Sequence, residues 1–214
     1  MRRAAARHPG GGFCHSQIFN KVLTVSWRRA LAVRSPFRPK ATEALVTSTS
    51  TPPGLVRFNA LQERAAAAVL HEVCASTAWV RRLLAARPYR TADELYAAGD
   101  AAMTELTTAD LEEAMAGHPP IGRPKPGDPT SVREQRGMAG ASEELRAEML
   151  ELNLAYQERF GHVFLICATG RTAEQMRDAV KERLGNAPEQ EREIVRAELG
   201  KINRIRLTRL LHTA

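Results

Sequence analysis

The chain has few of the residues that build a covalent or metal-bound framework. Its three cysteines, Cys14, Cys74 and Cys167, are scattered, odd in number and without ligand-like spacing. That argues against both a disulfide scaffold and a zinc site and suits a reducing, cytoplasmic compartment. The six histidines form no pair at metal-binding spacing, so a metal would have to be held by residues distant in sequence. No run of 18 or more apolar residues occurs, and a membrane span is not expected. The apolar stretch nearest the N-terminus is interrupted by Trp27-Arg28-Arg29, which speaks against a secretory signal peptide. Gly170 lacks the glycine spacing and the following Lys-Ser/Thr of a phosphate loop.

Charge is present in quantity but is placed unevenly. The formal charge of +7 and a pI near 9.8 resemble those of a nucleic-acid binder. Residues 1–50, however, carry nine Lys/Arg and one Asp/Glu, which leaves 22 basic and 23 acidic residues in 51–214. The basic signal therefore belongs to the N-terminal segment, and nucleic acid is not an expected partner of the rest. Residues 1–54 read as a weakly ordered basic extension, with Gly10 to Gly12, an Arg/Pro-rich run and a Thr/Ser/Pro-rich link from Thr47 to Gly54. Phe19 to Ala32 has the content of one short basic helix. A targeting segment, an over-extended reading frame and simple disordered decoration all remain open for this stretch.

From Phe58 onward, capping residues alternate with apolar helical spacing. Asn59 is placed to cap a helix over 61–74. Ser76 opens one carrying Trp79, Val80, Leu83 and Leu84, which Pro88 ends. Thr91 with Glu94, and Thr107 with Asp110, have capping-box spacing, and the second helix stops at Gly117. Ser131 and Glu134 repeat that spacing, which predicts a helix starting at Ser131 with Glu134 in its first turn. Ser142 opens a helix to Phe160, Thr172 one over 173–184, and Pro188 precedes one continuing to Leu211. Val163 to Ala168 is strongly apolar; with no second strand candidate, a buried connector between helices is favoured over a sheet. The pattern implies an all-α, single-domain multi-helix bundle over residues 55–214.

Chemistry-bearing side chains gather in one region. His118-Pro119-Pro120-Ile121-Gly122 follows a helix end, and Ser131-Val132-Arg133-Glu134-Gln135 follows a Pro/Gly-rich link. An imidazole, a carboxylate, an amide and a hydroxyl are thereby close in sequence. The plainer alternative is that Ser131 and Glu134 only cap a helix and His118 only packs at a helix stop. Asn153 intrudes on the apolar face of the helix ending at Phe160, and a buried asparagine requires partners.

Together, Phe58-Asn59-Ala60-Leu61, His118 to Gly122, Ser131 to Gln135, Asn153 to Tyr156, Phe160-Gly161-His162-Val163-Phe164 and Ile202 to Leu207 resemble the 2-oxo-4-hydroxy-4-carboxy-5-ureidoimidazoline (OHCU) decarboxylase family of urate breakdown, over roughly residues 55–212. The resemblance implies a cofactor-free, all-helical and commonly homodimeric enzyme that forms (S)-allantoin and carbon dioxide, with possible coupling to hydroxyisourate hydrolase. It implies His118 and Glu134 as catalytic residues and Pro119, Ser131 and Gln135 as substrate-binding residues. Arg206 is the best match to the family's substrate-binding arginine, with Arg204 second. Pro120 departs from the charged residue that many relatives have at this position. An imidazole titrating near physiological pH suits both triggering carboxylate loss and delivering a proton. Three other readings compete with this one: a nucleic-acid module, a helical interaction protein, and a hydrolase acting on hydroxyisourate, which would release no carbon dioxide.

Overall fold

A computed structural model describes residues 51–212; the basic segment of residues 1–50, with its candidate helix at Phe19 to Ala32, lies outside the described residues. The elements are α1 (Pro53–Ala60), α2 (Glu63–Val73), α3 (Thr77–Ala85), α4 (Ala92–Thr104), α5 (Thr108–Ala116), α6 (Pro129–Glu134), a 3-10 turn (Arg136–Met138), α7 (Glu143–Phe160), α8 (Ala173–Arg183) and α9 (Pro188–His212). Among the described residues there is no strand, and no helix is long and apolar enough to cross a membrane.

The capping signals explain most of the boundaries. Ser76, Thr91, Ser142 and Thr172 each accept a hydrogen bond from the backbone N–H three residues on, and Thr107 with Asp110 completes a reciprocal box. Gly161 ends α7 at φ 78°, a left-handed conformation that favours glycine. Two helix starts differ from the sequence reading. Asn59 caps nothing: it lies inside α1, and its amide donates to Tyr89 O (2.6 Å) and accepts from Tyr89 N (3.0 Å). The backbone of Tyr89 lies between helices with no intrahelical partner, and a side-chain amide matches both of its groups. Ser131 does not open α6 either. Asp128 is the cap, accepting from Thr130 N and Ser131 N, and Pro129 supplies the preset φ of the first turn. Glu134 is consequently the last residue of α6 and not part of its first turn.

Two apolar clusters form. One joins α1 to α5 with α9 around Trp79, Leu83, Leu95, Leu111 and Leu199; the other joins α7 and α8 around Met149, Tyr156, Phe164, Met176 and Val180. Residues 163–168 run extended and largely buried between them, the connector expected from sequence, and contribute Leu165 and Cys167 to the first cluster and Phe164 and Ile166 to the second. The connector's backbone is held by side chains: Cys167 N donates to Glu198 Oε2 (2.8 Å), and Arg183 Nη1 donates to Leu165 O (2.8 Å).

Candidate active site

The loop after α5, the end of α6, the buried connector and the second half of α9 line a cleft. It is lined by His118, Pro119, Ser131, Glu134 and Gln135 on one side and by the 164–169 connector with Ile202 and Ile205 on the other. A Cβ added at Gly137 would lie 2.0 Å from Arg171 O, so the turn after Gln135 approaches the chain following the connector as closely as only glycine allows.

His118 enters directly from the end of α5, where its N–H donates to Met115 O (2.9 Å). Two prolines follow it, so the next two residues bring no backbone donor. Among the described residues its ring has no hydrogen-bond partner. Burial pushes its pKa down from 6.5 to about 4, and Arg206 adds to that against the opposing charge of Glu134. His118 is therefore a neutral imidazole at physiological pH, which corrects the expectation of a group titrating near neutrality. A second, more polar cleft, lined in part by His71, Glu72, Lys125, Asp128 and Arg206, meets the first at His118.

Glu134 is held by α9. Arg206 Nε and Nη2 donate to its two oxygens at 2.9 Å each, and Arg209 Nη1 donates to Oε1 at 3.0 Å. The remaining Arg206 Nη1 donates to Val73 O (3.1 Å) at the C-terminal end of α2, the negative pole of that helix. Arg206 and Glu134 keep only 16% and 12% of their side-chain exposure. The fork-to-fork geometry fixes the carboxylate's plane.

The other candidates fall into distinct places. Ser131 is buried against the cleft, but its hydroxyl accepts from Lys125 N (3.0 Å) and donates to Asp128 O (3.2 Å). Gln135, buried beside it, accepts from Gly122 N (2.9 Å) and donates to Pro120 O (3.2 Å), so one lone pair and one N–H of its amide remain. Pro119 lines the cleft wall. Arg204 is not brought to the site: it pairs with Asp100 at 2.7 Å, half exposed, with its guanidinium 4.8 Å from the Tyr96 ring centroid. The sequence reading missed Arg209, which lies one helical turn from Arg206 on the same face of α9; that spacing was the available signal. It also missed the connector as a cavity wall. Among the described residues no cluster of three His, Cys, Asp or Glu is placed to hold a metal ion.

The arrangement sets an imidazole free to accept a proton beside a clamped carboxylate and a guanidinium that recognises carboxylates. Such a cleft suits a small anionic substrate that loses or gains a proton.

Comparison with known proteins agrees with the geometry. The OHCU decarboxylase family profile matches residues 59–208. The chain is 34% identical over 144 residues to the Arabidopsis thaliana protein named uric acid degradation bifunctional protein TTL, covering 64% of this chain and 44% of that one. It is 35% identical over 127 residues to the 2-oxo-4-hydroxy-4-carboxy-5-ureidoimidazoline decarboxylase of Amia calva, covering 56% and 73% respectively. A Bacillus subtilis relative, uric acid degradation bifunctional protein PucL, is 30% identical over 142 residues, and those cover 28% of its length. The chain thus spans less than half of each bifunctional relative. A crystal structure of OHCU decarboxylase in the presence of (S)-allantoin superposes with a TM-score of 0.61 at 27% identity, covering 72% of this chain and 100% of that one. An (S)-allantoin synthase structure, with a TM-score of 0.56 at 18% identity and covering 73% of this chain and 53% of that one, shares the fold.

Proposed function

The chain belongs to the OHCU decarboxylase family, and on that premise we propose that it converts 2-oxo-4-hydroxy-4-carboxy-5-ureidoimidazoline to (S)-allantoin and carbon dioxide. The supporting observation is that neutral His118 and Glu134 line one cleft, while Arg206, paired with Glu134, lines the adjoining cleft that also opens on His118, all within the span of the family match.

The reaction breaks the bond between the ring carbon and its carboxylate. The electron pair left on the ring moves into the adjacent imine, so no separate electron sink is required. The 4-hydroxyl loses its proton as the ring carbonyl forms, and a proton is added to one face of the carbon bearing the ureido group. Overall, the anionic substrate takes up one proton from solvent and releases carbon dioxide. His118, as a neutral base, accepts the hydroxyl proton and becomes the imidazolium that returns it to the ring. An arriving carboxylate favours that protonated form, since a nearby negative charge raises an imidazole's pKa. Arg206 reads the anionic substrate from the adjoining cleft that meets the first at His118, and Glu134, bonded by both Arg206 and Arg209, holds Arg206 in place. Ser131, Gln135 and Pro119 shape the wall that contacts the ring and ureido group.

The test is to generate the substrate in situ from urate and follow optical activity. Acceleration of (S)-allantoin formation over spontaneous decay, with release of carbon dioxide, is expected. No acceleration overturns the reading, and unchanged activity in His118→Ala overturns the role given to His118. A homodimer and coupling to a hydroxyisourate hydrolase belong to the same reading; sedimentation of the chain alone, and then with that hydrolase, tests both.

A further inference from the structure

The His118–Gly122 loop is held by two side-chain amides that reach it from opposite sides. Gln135 accepts from Gly122 N and donates to Pro120 O, while Asn153, in the middle of α7, donates through Nδ2 to Ile121 O at 2.8 Å. Between them the amides hold three consecutive residues of a turn whose Gly122 has a φ of 85°. Gln135 follows Glu134 directly in the chain, so its bonds tie the loop to the residue that carries the carboxylate. Asn153 ties the same loop to the α7–α8 cluster, in which Ile121 buries its side chain.

Asn153 does not line the cleft shared by His118 and Glu134; it lines a separate cavity behind the loop with Gly122, Arg123 and Arg146. It is 93% buried, yet its Oδ1 has no partner. A buried, half-satisfied amide is unfavourable for stability, and an apolar side chain on this face of α7 would avoid that penalty. What the amide supplies is the single donor aimed at Ile121 O.

We propose that Asn153 is a positioning residue for the decarboxylase site, setting through Ile121 O the height of the 118–122 loop and hence the placement of the His118 imidazole against Glu134. The inference rests on the reading given under Proposed function for its kinetic consequence, but not for its geometry. Its physical basis is that a reacting group displaced by about 1 Å loses on the order of 100-fold in rate.

The experiment compares the full-length chain with Asn153→Leu, which keeps the volume without the donor, and Asn153→Ser, whose hydroxyl is too short to span the gap. Three quantities are read: thermal unfolding, kcat and KM with the enantiomeric purity of the allantoin, and an NMR pH titration of the His118 Cε1–H, assigned by its loss in His118→Gln. In a folded variant, kcat is expected to fall about 10- to 100-fold with KM within about threefold, and the imidazole to titrate at a higher pH than in the wild-type chain, where burial holds it down. The charged groups around it, Arg206, Glu134, His71, Glu72, Lys125 and Asp128, are the same in every variant. A purely structural asparagine would lower the unfolding temperature and leave kcat and the titration unchanged; that result overturns the proposal. Failure of both variants to fold also assigns Asn153 a structural role and overturns it. If the wild-type chain forms no allantoin, the decarboxylase reading fails, and the titration alone still decides whether Asn153 positions the imidazole.

Discussion

Glu134 and Arg206 meet through two parallel hydrogen bonds of 2.9 Å although 72 residues separate them, and this pair joins α6 to α9 at the cleft. Removing the guanidinium with Arg206→Met leaves Glu134 partly buried with Arg209 still attached to Oε1. Breaking a buried pair by losing one partner destabilises by about 3–5 kcal/mol, and the remaining arginine places the expected loss at or below the lower end. kcat/KM is expected to fall by roughly 100- to 1000-fold, as for loss of one preorganised donor. In the double variant Arg206→Met with Glu134→Leu, stability measured by urea unfolding should return while activity stays low. Recovery of activity together with stability would show the pair to be architectural only.

His118 carries a pH signature. Its folded-state pKa of about 4 lies below the ordinary 6.5, so between those values the unfolded chain binds more protons than the folded one. Stability contributed at this position therefore rises with pH through that window and is lost as pH falls. A shift of this size corresponds to at most about 3 kcal/mol, and the partial exposure of the ring reduces it. Urea unfolding at pH 4.5 and 7 should show a smaller difference in His118→Gln than in the wild-type chain. An identical pH dependence in the two would place His118 in a solvent-like environment.

Legibility in the sequence followed the reach of the interactions. Ser76, Thr107, Ser142 and Thr172 cap helices through bonds to residues three positions away, so residue type and spacing were enough to place α3, α5, α7 and α8. Ser131 with Glu134 has the same spacing, but Asp128-Pro129 is a stronger start, combining a carboxylate cap with a preset φ, and it displaced the helix by two residues. Asn59 was misread, and the structural bonds of Gln135 were not foreseen, for a different reason. Both amides answer unpaired backbone groups elsewhere, at Tyr89 and at Pro120 and Gly122, and such needs appear only once the loops are placed in space. His118 and Glu134 were found as a pair because the chain brings them within 16 positions, whereas the choice between Arg204 and Arg206 depended on which face of α9 turns inward.

That choice gives a sharp contrast between two arginines two residues apart. Arg204 is half exposed and pairs with the equally exposed Asp100. Surface pairs of this kind contribute about 0–1 kcal/mol. Arg204→Ala is therefore expected to keep kcat/KM within about twofold and to lower stability by less than about 1 kcal/mol, while Arg206→Ala loses most activity. Steady-state kinetics on the two purified variants checks this, and a comparable loss in both would remove the distinction drawn from the face of α9.

Arg183 and Glu191 form the most buried ion pair among the described residues, with 8% and 0% side-chain exposure, and neither lines the cleft. Arg183 Nε donates to Glu191 Oε1 at 2.8 Å, Asn186 Nδ2 donates to Oε2 at 2.7 Å, and the Tyr156 hydroxyl also donates to Oε1. Burial pushes the Glu191 carboxyl pKa up, but these hydrogen bonds outweigh it and hold the group below the ordinary range. Its contribution is therefore present above the unfolded-chain carboxylate value and is lost as pH falls through the folded value. Glu191→Leu leaves the Arg183 guanidinium buried without a counter-charge, so a loss of about 3–5 kcal/mol is expected. Adding Arg183→Met should recover most of that loss, because replacing both charges with apolar groups is often close to neutral. Urea unfolding of the single and double variants measures the difference, and kcat of Glu191→Leu that remains folded should stay within about twofold, because Glu191 does not line the cleft and Arg183 is still present to hold Leu165 O. A single variant as stable as the wild-type chain would mean that water reaches the pair and that the α7–α8 cluster is more open than its packing implies.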